Sequence, residues 1–430
     1  MSSIVSETDS VPSSLGTSSG LRPSVLKVAL IGVTGFARVH YEMVMGAIQE
    51  GASLQLVAAA VINQEEVPLE CQQIREVGGA LYDDVYSMLE AFKGDIDLCF
   101  IPVGIHLHAP MTIAALHAGA NVFVEKPAAA TIQDVRAMQA AERETGRFVA
   151  VGFQTMFASE TLWMKDAILS GRIGAVQSIK CRCLWPRLDT YYTRNDWAGR
   201  LRVGDDWVLD SPFNNAVSHQ LNMICFLAGE SRERAADIDT VEAELYRAHR
   251  IESADTACLR VQTKTGLPLY FYATHCSDAH LDPEIVIRGE SGEIRWTFTD
   301  VTLTSDEGTV ETRACEADVS VRSQLLDRLL NRMENSDVFI CDLEVAAAHT
   351  LSVNGAHESS PVHDIPADLI SHESVDGGVK TTVSGLDDLI HRAFEQEVLF
   401  SEMDVPWAQA GALTSANTAY DYFPQRVGLS

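Results

Sequence analysis

Apolar runs that alternate with helical patterns fill residues 25–154 and restrict the possible folds more than any other feature of the chain. The runs are VLKVALI, LQLVAAAVI, DIDLCFIPV, ANVFVEK and FVAVGFQ. A strand that is apolar on both faces has to be covered on both faces, and alternation with helices is typical of βαβ units. The sequence therefore predicts a Rossmann-like, doubly wound α/β domain with a parallel sheet over residues 25–155.

Two of the intervening helices carry boundary signals of their own. The helical pattern of residues 36–50 stops at Gly51, and glycine is a common helix terminator. A second helix is expected to begin at TIQD, where Thr131 can cap the helix, and to end near Gly146.

The pattern changes after Gln154. Period-two segments such as VQSIKCRCLW and CLRVQTKTGLPLYFYATH predict strands, and residues 385–411 return to helical spacing. We therefore expect a second domain of the α+β class over residues 156–430, built on an open, mostly antiparallel sheet. The Ser-rich opening, residues 1–24, is interpreted as a disordered tail.

Composition excludes several classes of function. The net charge of −28 opposes binding to nucleic acid, and no apolar run approaches the roughly 20 residues of a membrane-spanning helix. The cysteines form no CxxC pair, which suits a reducing cytoplasm. The stretch THCSDAH, residues 274–280, has no zinc-site spacing, and we interpret it as a turn rather than a metal site.

The stretch GVTGFARVH follows the first predicted strand and could be a phosphate-binding turn. Such a turn prefers glycine at three places, which here are occupied by Gly32, Thr34 and Ala37, with an additional Gly35. The Thr34 hydroxyl can donate to a phosphate oxygen, whereas its Cβ hinders close approach. A dinucleotide turn and a purely structural corner both remain open on these residues alone.

The second predicted strand offers little to distinguish NAD from NADP. An acidic residue that binds the ribose is expected about 20 residues after the glycines, but the strand ends in Asn63, with Glu65 and Glu66 just beyond. Asn63 can hydrogen-bond a ribose hydroxyl, and no basic residue nearby indicates a 2′-phosphate pocket. Both cofactors remain open.

A longer motif favours a dinucleotide-binding turn over a purely structural corner. Residues 101–135, IPVGIHLHAPMTIAALHAGANVFVEKPAAATIQDV, resemble the family of glucose–fructose oxidoreductase, inositol dehydrogenase and the rhizopine-catabolism proteins. GFQTMF, GRIGAVQSI and SPFNNAVSHQLNMICFLAG are similar to later segments of that family, so the resemblance covers residues 26–229 well and the remainder loosely. It implies an NAD(P)-dependent oxidoreductase with a sugar-like or polyol substrate.

The resemblance also implies roles for particular residues. Lys126 would stabilise a developing alkoxide and His219 would act as the base, while Glu125 would orient Lys126 or contact the cofactor and Pro127 would fix the backbone at the strand end. Asn215 stands where many members carry an aspartate one helical turn before the histidine, and Asp210 could compensate if its loop folds back. The expected cofactor-binding residues are Gly32, Thr34, Gly35, Phe36, Ala37, Asn63, His108, Glu125, Lys126, Pro127 and Gln154.

The loop at residues 185–207 is dense in Arg, Asp, Tyr and Trp. Aromatic faces with polar tips suit a sugar-like substrate, so Arg187, Tyr191, Arg194 and Trp197 are candidate substrate-binding residues, with Asp210 beyond the loop. A solvated loop or a subunit contact is the alternative.

These observations predict a nicotinamide-dependent hydride transfer to or from a secondary alcohol. Two alternatives remain: a glycosidase or lyase that oxidises its substrate transiently with bound NAD, and a regulator that binds a dinucleotide without catalysis. By analogy with the family, we also expect a homo-oligomer, either a dimer or a tetramer.

Overall fold

A computed structural model describes residues 25–426 of the protein. The tail expected at residues 1–24 lies outside the described residues. The first part of the chain alternates strands and helices as the sequence predicts. Its elements are β1 (Leu26–Ile31), α1 (Ala37–Gln49), β2 (Leu54–Ala60), α2 (Pro68–Glu76), β3 (Ala80–Tyr82), α3 (Val85–Ala91), β4 (Leu98–Ile101), α4 (His108–His117), β5 (Asn121–Val124), α5 (Ile132–Thr145) and β6 (Val149–Val151).

The six strands form one parallel sheet in the order β3-β2-β1-β4-β5-β6. This is the strand order of a doubly wound dinucleotide-binding fold, in which the chain direction along the sheet reverses between β1 and β4. Ligands of such sheets bind beyond the carboxyl ends of the strands. Residues 32–36, after β1, and Glu125 and Lys126, after β5, therefore share the functional edge of the sheet.

The predicted helix boundaries are confirmed. Helix α1 is followed by Gly51 at a φ of +85°, and α5 begins after Thr131, whose hydroxyl accepts the Asp134 N–H at 3.4 Å. Gly146 closes α5 in the left-handed conformation, with a φ of +65°. No helix within residues 25–426 is long and apolar enough to cross a membrane.

The second part is α+β, as predicted. Its elements are α6 (Ser159–Leu169), β7 (Val176–Leu184), β8 (Arg202–Val203), β9 (Asp206–Trp207), α7 (Ser218–Leu227), β10 (Ile238–Arg247), β11 (Thr256–Thr263), β12 (Pro268–Thr274), β13 (Leu281–Gly289), β14 (Gly292–Trp296), β15 (Asp300–Ser305), β16 (Val310–Ala314), α8 (Asp318–Glu334), α9 (Leu343–Ser359), β17 (Val362–Asp364), β18 (Ile370–Val375), β19 (Gly378–Val383), α10 (Leu386–Gln396) and β20 (Thr414–Ser415).

Most of these strands belong to one large open sheet in the order β16-β15-β14-β13-β7-β12-β11-β10-β17, with β20 paired to β10. Neighbouring strands are antiparallel except in the pairs β7·β12 and β10·β17. The predicted fold class is therefore confirmed for both parts of the chain.

Helices of the chain itself cover the central part of the large sheet on both faces. Helices α7 and α9 pack on one face, and α10 packs on the other, against β7 and β12. The core under α10 is rich in aromatic side chains, including Tyr246, Tyr272, Phe394 and Phe400. The expected oligomeric state stays a prediction.

The two parts of the chain are tied together behind the functional edge. Asn354 of α9 is fully buried, its Oδ1 accepts the Ile132 N–H at 2.9 Å, and its Nδ2 donates to the Ala130 carbonyl at 2.7 Å. This amide thereby fixes the segment between Lys126 and α5, because it satisfies backbone groups that have no access to water.

We expect Asn354→Ala to destabilise the protein by roughly 2–5 kcal/mol, because it leaves a buried N–H and a buried C=O unpaired. Thermal unfolding at a fixed scan rate, followed by circular dichroism, measures the change. Ser352→Ala is the matched control, since the Ser352 hydroxyl donates at 2.8 Å to the Ala348 carbonyl of its own helix and otherwise contacts only the Cys225 thiol, at 3.7 Å, so its loss leaves no backbone group of another element unpaired. Equal unfolding temperatures for the two variants would contradict the assigned role of Asn354.

Candidate active site

Lys126 lies where β5 ends and its side chain reaches across to the second part of the chain. The ammonium donates to the Asn215 carbonyl at 2.9 Å and to Asn215 Oδ1 at 3.2 Å. Burial lowers the pKa of Lys126, while the carboxylates of Glu125 and Asp210 partly offset that effect. Lys126 thereby connects the end of β5 to both oxygen atoms of Asn215.

Glu125 is a buried carboxylate next to Lys126. Its Oε1 accepts from His40 Nε2 at 2.8 Å, and its Oε2 accepts the Lys126 backbone N–H at 3.1 Å. Burial by itself would raise the pKa of Glu125, but the hydrogen bond and charge of His40, together with Lys126, bring this pKa to about 2. A Cβ at position 152 would lie 3.1 Å from the Glu125 carboxyl carbon, so Gly152 leaves the space that the carboxylate occupies.

Asn215 belongs to a different local structure from the one the sequence predicts. Residues Pro212–Ala216 form a π-helical turn and α7 begins only at Ser218, so Asn215 and His219 are not one turn apart on a single α-helix. The Asn215 Nδ2 donates to Asp210 Oδ1 at 2.7 Å, and its oxygens accept from Lys126. The prediction that one α-helix carries both Asn215 and His219 is therefore wrong.

Asp210 supplies a negative charge next to Asn215. Besides Asn215, it accepts the Gly199 N–H at 2.6 Å, so the loop does fold back onto the site. Burial raises the pKa of Asp210, against the effect of the Gly199 N–H, the Arg194 charge and the Lys126 charge. A chain of contacts thus runs from Lys126 through Asn215 to Asp210.

His219, near the start of α7, lines a cavity of about 440 Å³. Gln154, which follows β6, lines the same cavity, as does Ala216, the neighbour of Asn215 in sequence. The Phe153 ring packs edge-on against the His219 ring at 5.7 Å. Lys126 therefore hydrogen-bonds to Asn215, and the next residue in the sequence, Ala216, lines the cavity of His219.

The aromatic and charged loop lies on the other side of Asp210. The Arg194 guanidinium stacks 3.7 Å from the centre of the Tyr191 ring and 5.4 Å from the Trp197 ring, and Arg187 lies 5.1 Å from Tyr191. Burial raises the pKa of Tyr191, and the charge of Asp210 adds to that effect. The four candidate substrate residues thus form one cluster, although none of them lines the cavity of His219.

Trp197 also contacts the turn after β4. A Cβ at position 104 would lie 2.9 Å from His106 Cε1 and 3.1 Å from Trp197 Nε1, so Gly104 admits both rings. His108 bridges the carbonyl oxygens of Val103, at 3.2 Å, and Pro127, at 2.7 Å. Burial lowers the pKa of His108. Its ring connects the residues after β4 with those after β5.

The glycine turn after β1 has the backbone that a dinucleotide turn requires. Gly32 and Gly35 have φ values of +83° and +56°, and a Cβ at Gly32 would lie 3.3 Å from the Ala37 Cβ. Thr34 and Phe36 are exposed there. Helix α1 has no side-chain cap and no acidic residue in its first turn, so its N-terminal end can receive an anion.

Asn63 lies at the expected end of the second strand. Its side chain donates to Glu66 Oε2 at 3.0 Å, and the nearest basic residue of the turn region, Arg38, is paired with Glu70 at 2.6 Å. This corner of the sheet is therefore anionic.

Two residues of the site were missed by sequence reasoning. His40 lies on the buried face of α1 and meets Glu125, 85 residues away. Arg322 of α8 lines the cavity of His219, lies 5.4 Å from the Phe36 ring, and acts electrostatically on Lys126. A histidine on an otherwise apolar helix face was the only signal for His40, and the sequence carried none for Arg322.

Comparison with protein families agrees with this geometry. The model described as "Oxidoreductase family, NAD-binding Rossmann fold" matches residues 26–153, and the GFO/IDH/MocA C-terminal domain model matches residues 161–295. The chain belongs to the Gfo/Idh/MocA oxidoreductase family. This is the family that the sequence motifs resemble, and the resemblance is confirmed.

Curated Gfo/Idh/MocA relatives are distant. A 1-carboxy-3-chloro-3,4-dihydroxycyclohexa-1,5-diene dehydrogenase of Comamonas testosteroni is 28% identical over 255 residues, which are 58% of this chain and 59% of that protein. An inositol 2-dehydrogenase of Pseudomonas savastanoi pv. phaseolicola is 26% identical over 201 residues, 46% of this chain and 54% of that protein. The chain thus spans between half and three fifths of the length of these relatives.

Solved structures share the fold. The WlbA dehydrogenase from Bordetella pertussis, in complex with NADH and UDP-GlcNAcA, has a TM-score of 0.63 and 22% identity, covering 77% of this chain and 95% of that one. A levoglucosan dehydrogenase in complex with NADH has a TM-score of 0.64 and 18% identity, with coverage of 77% and 96%. At these identities the likeness establishes the fold alone.

We expect Glu125→Gln to destabilise the protein by about 3 kcal/mol at neutral pH, the equivalent of a pKa lowered from 4.5 to about 2. Because the pKa is lower in the folded state, this stabilisation is complete above pH 4.5 and is lost as the pH falls toward 2. The difference in unfolding temperature between wild type and variant should therefore shrink across that range.

Glu142→Gln provides the opposite control. Burial raises the pKa of Glu142 to about 7, so its ionisation destabilises the folded protein as the pH rises above 4.5. This variant should gain stability relative to wild type at pH 8. An effect of Glu125→Gln that does not vary with pH would contradict a role for the Glu125 charge.

Proposed function

We propose that the protein is an NAD-dependent oxidoreductase that transfers a hydride between the cofactor and a secondary alcohol of a sugar-like or polyol substrate. The observation that carries this proposal is the placement of Lys126. Its ammonium stands at the carboxyl end of β5 and bonds to the turn that leads into the cavity of His219. Alcohol oxidation requires a base for the hydroxyl proton and a cation for the developing oxyanion, and these are the roles that we assign to His219 and Lys126.

The residues after β1 suit the diphosphate of NAD. The N–H groups of Ala37, Arg38 and Val39 already bond the carbonyls of residues 34–36, so the donors for a diphosphate come from the N–H groups of residues 34–36 and the Thr34 hydroxyl. Asn63 is placed for the ribose. Glu65 and Glu66 disfavour a 2′-phosphate by charge repulsion, which favours NAD over NADP.

In the direction of oxidation, His219 accepts the hydroxyl proton and the Lys126 ammonium stabilises the oxyanion that develops on the substrate. Bound NAD supplies the acceptor for the hydride from the same carbon. The charges of Glu125 and Asp210 partly offset the lowering of the Lys126 pKa by burial, and Asn215 orients the ammonium.

The cavity of His219 suits a polyhydroxylated ligand. Trp185, Trp296 and Phe298 contribute aromatic surface, while Glu160 and Glu316 contribute carboxylates. Aromatic faces cover the apolar side of a sugar ring, and carboxylates accept hydrogen bonds from its hydroxyl groups. Arg322 adds a positive charge between this cavity and the turn at Phe36.

The purified protein should bind NADH at least roughly tenfold more tightly than NADPH, a difference of about 1.4 kcal/mol, as followed by nicotinamide fluorescence. A screen of polyols, aldoses and uronic acids should then reveal reduction of NAD+ at 340 nm. Lys126→Met should lower kcat/KM by roughly 10³-fold, because the oxyanion loses its cation, and should leave NADH binding within a few-fold.

Lys93→Met is the matched control, since Lys93 is exposed on the same domain. Product formation without net reduction of NAD+ would favour transient oxidation in a glycosidase or lyase. Binding of NADH without turnover of any substrate would favour a regulator. Full activity of Lys126→Met would disprove the proposed mechanism.

Asp210→Asn tests the electrostatic part of the mechanism. The Asp210 charge raises the pKa of Lys126, so its removal lowers that pKa. The high-pH limb of kcat/KM should therefore move to lower pH by about one unit. Asp205→Asn, on the exposed part of the same loop, should leave the profile in place. A uniform loss of activity at every pH would indicate a merely structural role for Asp210.

A further inference from the structure

Three side chains of types that bind metal ions lie close together at the ends of neighbouring strands of the large sheet. His249 follows β10, Asp255 directly precedes β11, and Cys276 follows β12. His249 Nδ1 lies 2.9 Å from Asp255 Oδ2 and 3.3 Å from Cys276 Sγ, and the three ligand atoms all lie within 4.8 Å of one another. The residues are 7%, 0% and 0% exposed, respectively.

We propose that His249, Asp255 and Cys276 form a binding site for a zinc-class divalent cation. An imidazole nitrogen, a carboxylate oxygen and a thiolate sulfur are the donors that zinc takes in proteins. Tetrahedral coordination needs N···O and N···S separations of roughly 3.3 and 3.5 Å. These two separations would have to increase by only a few tenths of an ångström to admit the ion.

Buried polar groups without hydrogen-bond partners surround this cluster and point to a ligand independently. Both ring nitrogens of His275 and the second ring nitrogen of His249 have no partner, although these residues are only 2% and 7% exposed. The same holds for the hydroxyls of Ser253, Ser277 and Tyr192. Buried polar groups are nearly always hydrogen-bonded, so such a concentration calls for an ion or for a polar ligand.

These groups also provide the remaining coordination and its support. The Tyr192 ring lies 4.8 Å from the His249 ring, and His275 is the neighbour of Cys276 in sequence. The Tyr192 hydroxyl and the His275 imidazole are therefore the candidates for a fourth ligand. On binding, the Cys276 thiol loses its proton, and His249 Nδ1 presents its lone pair.

The hydrogen bonds already present at Asp255 are compatible with a metal ligand. Asp255 Oδ2 accepts the N–H groups of Ala248 and His249, each at 2.8 Å, and Oδ1 accepts the Thr256 hydroxyl at 3.1 Å. Ligating carboxylates are usually oriented by such second hydrogen bonds. They hold the oxygen at the point where the other two donors meet.

The proposed site is hydrogen-bonded through its neighbouring residues to the loop at residues 185–207. At one end of the loop, the Arg187 N–H donates to the His275 carbonyl at 3.0 Å, and further along the Ser253 N–H donates to the Gly199 carbonyl at 2.9 Å. Tyr192 lies on the loop itself. A bound ion would therefore stabilise the segment that places Arg194 and Asp210 near Lys126, although metal binding as such does not rest on the proposed function.

The test uses the full chain without an affinity tag. Protein from zinc-supplemented cells should contain about one zinc per chain by elemental mass spectrometry. After treatment with a chelator under reducing conditions, titration with Co²⁺ should produce a thiolate-to-cobalt charge-transfer band that saturates at about one equivalent. No substrate or cofactor enters this measurement, so its outcome is separate from that of the activity assays.

Cys276→Ser should abolish the charge-transfer band and His249→Gln should weaken cobalt binding at least roughly tenfold. Cys183→Ala is the matched control, because Cys183 is an equally buried thiol of the same sheet outside the cluster, and it should keep the band. Folded wild-type protein that binds no cobalt, or binds it without the charge-transfer band, would overturn the proposal. So would an unchanged band in folded Cys276→Ser.

Discussion

The partly buried ammonium of Lys126 is the interaction on which the geometry of the site depends. A positive charge with little access to water needs negative partners close by, and here they come from both parts of the chain: Glu125 directly after β5 and Asp210 from the loop before α7. Asn215 orients the ammonium, since its Oδ1 accepts from Lys126 and its Nδ2 donates to Asp210. The contact between the two parts is thereby stabilised by electrostatics as well as by packing.

The first domain could be predicted well from the sequence because strands buried on both faces leave near-continuous apolar runs. The exception is β3, whose three residues are only partly buried and so leave a run too short to recognise. Helix ends were predictable where the chemistry is local, as at Thr131 and Gly146. In the second domain, β10 was not predicted because polar residues interrupt its apolar pattern.

The candidate site was predictable only as far as its residues belong to sequence motifs. Lys126, Glu125 and His219 were predicted in this way, whereas the sequence left open whether the loop of Asp210 folds back. The π-helical turn at Pro212–Ala216 could not be found, because residue spacing indicates an α-helix there and tertiary contacts decide otherwise. Arg322 and His40 contact residues far away in sequence, and no local pattern contains such information.

The covering of the large sheet by α10 has a consequence for association. Leu389, Ile390 and Phe394 of this helix face the tyrosines of the sheet, whereas Asp388, Arg392 and Glu395 face solvent. The aromatic side of these strands is therefore covered by the chain's own C-terminal part. A second copy that approaches this side meets a charged, hydrated helix surface, and dehydrating those charges would oppose its docking there.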